Sequence, residues 1–449
     1  MFSFLYQGAD WLVFQKIHYF VLFFVFVWVI WLFKSILSLF YKPIEENFDI
    51  KSSVIIPVVD EHPDLFDDVL MRITDQIPFE TIVIINGDRN HDIEEICKKY
   101  KNKGVIYEWT EIPGKRNALK LAFEKAKGDI FVIVDSDTLW TKNTLIELVK
   151  PFKDNKIGGV TTKQKIYQSE RNYLTRFADW LEDIRSIHSL PSMSITGSVG
   201  CLPGRTIAIR KEIILKALPD FLSEKFLGIH LEVSDDRSLT NYVLKYGYNT
   251  FFQRTSVVYT DAPVTFPKFY RQQLRWAKGS QYNTLRMFGW MLRKAPFLAF
   301  LYFTDIITPF FLYGLFLSII IRFLNGSHST EIIKGTPLDN GILLVTLALL
   351  GALLSIGLRQ LPHLINKPKD ILFLPVFLFM ITFILSSIRI IGFATMAEDS
   401  SWGTRPRGYK EGSSRVKAES ASDKLKTRIP YVIALFMLLF FTYAGVISG

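Results

Sequence analysis

Asp135 and Asp137 stand at the end of an apolar run, Ile130-Phe131-Val132-Ile133-Val134. Alternate residues of a strand point the same way, so both carboxylates leave the strand end together. Held that close they repel each other unless a positive charge lies between them. A hard divalent cation carrying a substrate diphosphate fits, since magnesium typically takes one or two carboxylates and completes its shell with phosphate oxygens. The same letters also suit an acidic turn capping a helix from Thr141 to Lys150. Pro113-Gly114-Lys115-Arg116-Asn117 opens another helix with a tight turn and two cations, either a solvated basic start or a phosphate site, because helix N-termini attract anions. Ser234-Asp235-Asp236-Arg237 reads in isolation as a cap for a helix from Arg237 to Lys245. Arg271, Arg275 and Lys278 share one helix face beside Trp276. Gly197 to Arg205 is a glycine-rich bend that lets a ligand approach the backbone.

These groups must be brought together by the elements that carry them. Lys51 to Asp60, Thr81 to Asp88, Gly104 to Glu108 and Asp129 to Val134 read as strands, with helices over Asp64 to Thr74, Asp92 to Lys101 and Lys115 to Lys127 between them. Strand alternating with helix at short spacing predicts an α/β, doubly wound, mostly parallel sheet. Its strands end in polar residues, Pro57 to Glu61, Asn86 to Asp88 and Asp135 to Asp137, which converge on one crevice suited to a nucleotide. From Arg171 to His188 the residues Leu174, Phe177, Leu181 and Ile184 give an amphipathic helix, packed on the sheet or, through Phe177 and Trp180, laid on a membrane interface. Two further strands are expected at Thr206 to Ile209 and Thr250 to Tyr259.

The chain of 449 residues is 49% apolar with a net charge of +10. Tyr19 to Phe33 carries no charge, and the apolar stretch reaches Tyr41 with Lys34 as its one interruption, enough to cross about 30 Å of hydrocarbon. No small-residue cleavage site follows, so a retained anchor is expected. Pro296 to Phe323, Gly341 to Leu361, Ile371 to Met396 and Ile429 to Ile447 are further apolar stretches. The expected organisation is an anchor (1–45), a cytosolic catalytic domain (46–265), an interface helix (266–295), membrane or interfacial helices (296–396), a polar loop and basic linker (397–428) and a last membrane helix (429–449). Cys97 and Cys201 make neither a metal motif nor a disulfide framework, which suits a reducing cytosol. The positive charge fits basic cytosolic loops and anionic substrates. Dispersed basic residues argue against nucleic acid.

The order Asp-x-Asp, Asp-Asp-Arg, Gln272-x-x-Arg275-Trp276, membrane bundle and Trp402-Gly403-Thr404-Arg405 resembles the processive, inverting membrane glycosyltransferases that include cellulose, chitin and hyaluronan synthases. The resemblance covers nearly the whole chain. It implies a GT-A-like domain beside a transmembrane bundle with amphipathic interface helices. Asp135 and Asp137 match the pair that holds magnesium or manganese on the donor diphosphate, and Asp236 matches the general base that deprotonates the acceptor. UDP contacts are implied for Pro57, Val59, Glu61, Asn86, Asp88, Lys115, Asp135, Gln272, Arg275, Trp402, Thr404 and Arg405. Acceptor contacts are implied for Cys201, Gly204, Asp235 and Trp276. Asn86 departs from the family, which usually has an aspartate against the uracil.

Within the family, Val199 to Ala208, Val233 to Asn241 and Arg271 to Trp276 are similar to capsular polysaccharide synthases, implying UDP-glucose and UDP-glucuronic acid as donors; hyaluronan synthesis from UDP-N-acetylglucosamine and UDP-glucuronic acid is the alternative. A transporter with a degenerate domain would have lost the three aspartates. A non-processive transferase would need neither the Gln-x-x-Arg-Trp clamp nor an exit. The implied setting is a bacterial plasma membrane, multi-pass, with a growing polysaccharide leaving the cell and a monomer doing the work. Since UDP-sugars are cytosolic, the amino terminus is expected outside. Pro375, Ser386, Ser387 and Arg389 make Ile371 to Met396 an uncomfortable lipid-facing span. It is expected to be interfacial or re-entrant, which keeps Trp402 to Arg405 cytosolic, leaving four true spans and an external carboxyl terminus.

Overall fold

The computed structural model of the chain describes residues 19–112, 114–230, 234–325, 341–398 and 421–447. The chain divides into two compact units, one of residues 36–300 with 396–427, the other of residues 1–35, 301–395 and 428–449.

In the first unit the apolar runs become strands. β1 (Ser52–Val58), β2 (Glu80–Asn86) and, beyond the edge strand β3 (Val105–Thr110), β4 (Ile130–Val134) follow the sequence pattern. β1, β2 and β4 are buried along their whole length, as continuous β-branched sequence requires of strands covered on both faces. With β5 (Leu139–Trp140), β6 (Ile157–Ile166), β7 (Thr206–Arg210) and β10 (Asn249–Thr260) they form one sheet in the order 3-2-1-4-7-6-10-5, while β8 (Lys225–Phe226) and β9 (Ile229–His230) make a separate hairpin. Phe66, Val69, Leu70 and Ile73 from the helix Pro63–Thr74 are fully buried in the same core cluster as Val54, Ile56, Val83 and Val132. Each such side chain stabilises the fold by about 1.5–3 kcal/mol.

The sheet is mostly parallel, but β7 runs antiparallel to both β4 and β6, and β5 antiparallel to β10. The reversal of β7 builds the site. Because Val134 pairs with Thr206, the residues entering β7 lie beside those leaving β4, and the amide of Asp135 donates to the carbonyl of Arg205 at 3.3 Å. β6 was not legible as a strand: it opens with Gly158 and Gly159 and continues through Thr161, Thr162, Lys163, Gln164 and Lys165. Packing supplies the reason for the second glycine, since a Cβ there would meet Leu202 Cδ1 at 2.7 Å.

The helix Tyr173–Ile184 starts on a capping box in which the Asn172 side chain accepts from the amides of Leu174 and Thr175. Phe177 and Trp180 are almost completely buried and stacked at 5.8 Å, and Phe177 meets Phe269 at 6.0 Å. They are core residues of this unit, which corrects the membrane-interface alternative. The helix Phe266–Lys294, which carries Gln272, Arg275 and Trp276, follows β10 with a short turn.

In the second unit, Val21–Leu39, Pro296–Ile321, Pro368–Ala394 and Leu425–Ile447 are long and apolar enough to cross a membrane. Phe311 packs on Phe23 at 5.2 Å and on Phe441 at 5.3 Å, joining three of these helices. Gly341–Arg359 is a further apolar helix of 19 residues. The stretch expected to be interfacial has a span's length, yet it is irregular: a 3-10 segment over Pro368–Phe373 and a π-helical segment over Met380–Leu385 interrupt it. His363 and Asp370, both buried, meet at 2.9 Å at its start.

Candidate active site

β1, β2 and β4 are parallel, so their carboxyl ends share one edge of the sheet. Asp135 and Asp137 leave β4 there, both half-buried. Lys115 reaches in from the helix Lys115–Lys125, and its Nζ donates to Asp135 Oδ1 at 2.7 Å. Burial opposes the ammonium charge, but Asp135, Asp235 and Asp236 outweigh it and raise the pKa above the ordinary lysine value. The turn before this helix is set by Gly114, whose φ of 107° suits glycine.

The loop entering β7 arrives from the other side. The amide of Gly204 donates to Asp236 Oδ2 at 3.1 Å. A Cβ on Gly204 would lie 3.5 Å from Asp236 Cβ, 3.8 Å from Lys115 Nζ and 3.9 Å from Asp135 Oδ2. This one glycine therefore touches all three charged groups, and a side chain there would fill the space between them. Asp236 is half-buried in the first turn of the helix Asp235–Lys245, which begins two residues earlier than the sequence pattern suggests. Its Oδ1 accepts from the Arg237 amide at 2.7 Å and from the Ser234 hydroxyl at 3.2 Å. Ser234 has φ of 66° and makes no cap bond to the helix amides; its hydroxyl steadies the carboxylate instead. Cys201 Sγ lies 4.0 Å from Asp236 Oδ2, and burial, with Asp236 second, pushes its thiol up to about 12.

Next to Gly204, Arg205 places its guanidinium 5.5 Å from the ring centre of Trp276, which is 39% exposed. Arg205 is itself fixed by Glu182 at 2.6 Å and Gln164 at 2.7 Å. Burial works against the Glu182 charge, but Arg185 and Arg205 hold its carboxyl below the usual range. Gln272, one turn before Trp276, and Arg275, immediately before it, are half-buried. At the end of β1, Pro57 and Val59 are buried, and Glu61 accepts from the Ser136 hydroxyl at 3.0 Å, tying that strand end to the Asp-x-Asp turn. Asp88 is exposed beyond β2. Trp402, Thr404 and Arg405 lie outside the described residues.

Two of the expected contact residues have buried protein partners. Asn86 is fully buried; its Nδ2 donates to the Ile112 carbonyl at 2.5 Å and its Oδ1 accepts from the Gly114 amide at 3.2 Å. Both ends of the amide brace the loop that launches Lys115. Asp235 is buried: its Oδ1 accepts from Arg116 Nε at 2.8 Å, and burial leaves its pKa raised although Arg116 and Lys115 pull it down. Arg116 accordingly turns inward, whereas a basic helix start suggests two outward cations. Glu224, Arg286, Glu182 and Gln164 were missed. Nothing in their local sequence separates them from surface residues, because their partners are distant in the chain.

A mixed sheet with paired carboxylates at its carboxyl edge, a lysine on one of them and a half-buried aspartate nearby suits a transferase site for a phosphorylated donor. Residues 51–279, just over half of the chain, match the model of the glycosyltransferase-like family 2, and the chain belongs to that family. It is a glycosyltransferase and resembles the processive membrane synthases over most of its length. A hyaluronan synthase of Streptococcus pyogenes is 27% identical over 382 residues, covering 83% of this chain and 87% of that one. An N-acetylglucosaminyltransferase of Azorhizobium caulinodans is 29% identical over 237 residues, covering 51% and 60%. Among solved structures, a mannosyltransferase of Pyrobaculum calidifontis in complex with GDP-mannose and Mn2+ matches with a TM-score of 0.49 at 17% identity, covering 81% of this chain and 99% of that one.

Proposed function

We propose that the protein is a processive, inverting synthase that polymerises UDP-glucose and UDP-glucuronic acid into a capsular-type polysaccharide and passes it through its own membrane helices. The observation that carries this reading is the position of Gly204 against Asp236, Lys115 and Asp135, which brings a proton acceptor and a diphosphate-binding pair to one small space.

Asp236 is the base. Three donors, the Gly204 and Arg237 amides and the Ser234 hydroxyl, fix its carboxylate, so it can take the acceptor proton without reorganising. The acceptor oxygen bonds to the sugar's C1 as the bond to the diphosphate breaks on the opposite face, which inverts the carbon, and UDP departs. Lys115, Gln272 and Arg275 supply positive charge and hydrogen bonds to the diphosphate. Trp276 offers a flat face to the acceptor sugar. Asp135 and Asp137 fit a magnesium or manganese ion: their oxygens are the hard donors such ions prefer, and Asp135 already holds a cation, Lys115. When bound, that ion neutralises charge on the departing diphosphate. As the resemblance implies, Trp402, Thr404 and Arg405 serve the donor diphosphate, with the amino terminus external and the stretch Ile371 to Met396 at the interface.

Donor identity rests on the stretches around Gly200–Arg205 and Val233–Asn241, which resemble a type 3 capsular polysaccharide synthase. The similarity to the streptococcal hyaluronan synthase over 382 residues supports a second reading, with UDP-N-acetylglucosamine in place of UDP-glucose. Membranes given single and paired UDP-sugars, followed by digestion of the product, separate them. Polymer from UDP-glucose with UDP-glucuronic acid supports the first, and polymer only with UDP-N-acetylglucosamine replaces it. In the same assay Asp236→Asn abolishes polymer with UDP binding retained, whereas Asp137→Asn weakens UDP binding.

A further inference from the structure

Beside Asp236 lies a buried ionic network centred on Glu224. Glu224, just before the β8–β9 hairpin, has a side chain that is 1% exposed. It receives three donors from three different helices. Arg116 NH2 donates from the helix Lys115–Lys125 at 2.8 Å, and the Ser238 hydroxyl donates from the helix Asp235–Lys245 at 2.6 Å. Arg286 pairs with it from the helix Phe266–Lys294. Arg116 closes the circuit by also binding Asp235, the residue before the base, and by lying over the Phe221 ring at 4.4 Å. Two guanidiniums and two carboxylates balance, and burial of Glu224 is outweighed by Arg116 and Arg286, which hold its pKa below the usual range.

The three helices joined here carry the donor cation Lys115, the base Asp236 and the acceptor platform Trp276. Two further polar contacts bind the second helix to the third: Arg237 NH2 donates to Thr284 Oγ1 at 3.1 Å, and Asn241 Nδ2 to Asn283 Oδ1 at 3.1 Å. Arg286 lies ten residues beyond Trp276, about 15 Å along the same helix, so a small rotation at Arg286 displaces the tryptophan. We propose that Glu224 is a positioning residue that sets the base-bearing helix against the acceptor-bearing helix, so that Asp236 meets the hydroxyl of a sugar stacked on Trp276. The proposal rests on the synthase reading above.

Transfer to a sugar needs that alignment, whereas transfer to water does not. In both, the bond from C1 to the diphosphate breaks and UDP leaves. The new C1–O bond forms to a sugar hydroxyl or to water, and Asp236 or solvent takes the proton. The ratio of polymer to free monosaccharide therefore reads the alignment. Full-length Glu224→Ala in lipid nanodiscs is expected to lose polymer synthesis about 100-fold, the scale of a misplacement near 1 Å. Free sugar falls far less, and donor KM changes less than about threefold. Glu224→Asp restores part of the ratio. Polymer and free sugar falling in equal proportion would overturn the proposal, since that marks a loss of folded enzyme alone. Should Glu224→Ala not fold, Glu224→Ala with Arg286→Ala removes the opposed charges together; the same shift in ratio supports the proposal and a wild-type ratio overturns it. The wild-type arm tests the underlying reading separately: no polymer from any pair of UDP-sugars defeats the synthase, whatever the variants do.

Discussion

Nζ of Lys115 lies 2.7 Å from Oδ1 of Asp135, and Oδ2 of the same carboxylate faces Gly204 and, through it, Asp236. One lysine thus sits among three aspartates, and its charge keeps them compatible before a donor arrives. Its helix begins at this residue.

Replacing Lys115 by methionine keeps the length of the side chain and deletes the charge. A hydrogen bond to a charged group is worth about 1.5–3 kcal/mol, so the donor KM and the UDP dissociation constant rise by roughly 10–100-fold. Titration of UDP into the purified variant checks this. Unchanged UDP affinity would assign Lys115 to folding alone.

Asn86→Asp tests the role of the buried amide. A carboxylate still accepts from the Gly114 amide but cannot donate to the Ile112 carbonyl, leaving two oxygens facing each other in a buried place at about 1–3 kcal/mol. The expected result is a lower unfolding midpoint and a raised donor KM, because the loop that launches Lys115 loosens. An aspartate that tightens UDP binding would restore a direct base contact instead.

Much of the site was legible from the sequence because strand ends and motif order are local. Asp135 and Lys115 meet at the strand end as the sequence pattern implies, whereas Asp236, a helix cap by its local sequence, was picked out only by the order of motifs. Gln272, Arg275 and Trp276 share one turn of a helix as read. What sequence hides is direction and distance in space. The reversal of β7, which delivers Gly204, follows from pairing and not from composition. Arg116 reads as a surface cation until Glu224, 108 residues later, turns it inward. Phe177 and Trp180 show how an amphipathic pattern fixes which face is apolar and leaves open what covers it.

Both cysteines offer a pH test. Burial, with Glu94 second at Cys97 and Asp236 second at Cys201, pushes each thiol up to about 12 from an ordinary 9.0. A folded pKa above the unfolded one means that the folded protein holds the proton more tightly. This contribution to stability is complete below pH 9.0 and disappears as the pH rises from there toward about 12. Iodoacetamide at about pH 8 should therefore label the native enzyme slowly and the denatured enzyme fast, since the thiolate is the nucleophile. The unfolding midpoint should fall once the pH passes about 9. Rapid native labelling of Cys97, which is fully buried, would contradict the burial described here.

The central claim is that one enzyme molecule keeps its chain while Asp236 works repeatedly at a single site. The most direct measurement is the size of radiolabelled product at early times, with purified enzyme in excess over chains begun and both UDP-sugars present. The account predicts a small number of full-length chains from the first time points, their number rising and their length constant. A population of short chains that all lengthen together would contradict it, because each would then have left the enzyme after every addition.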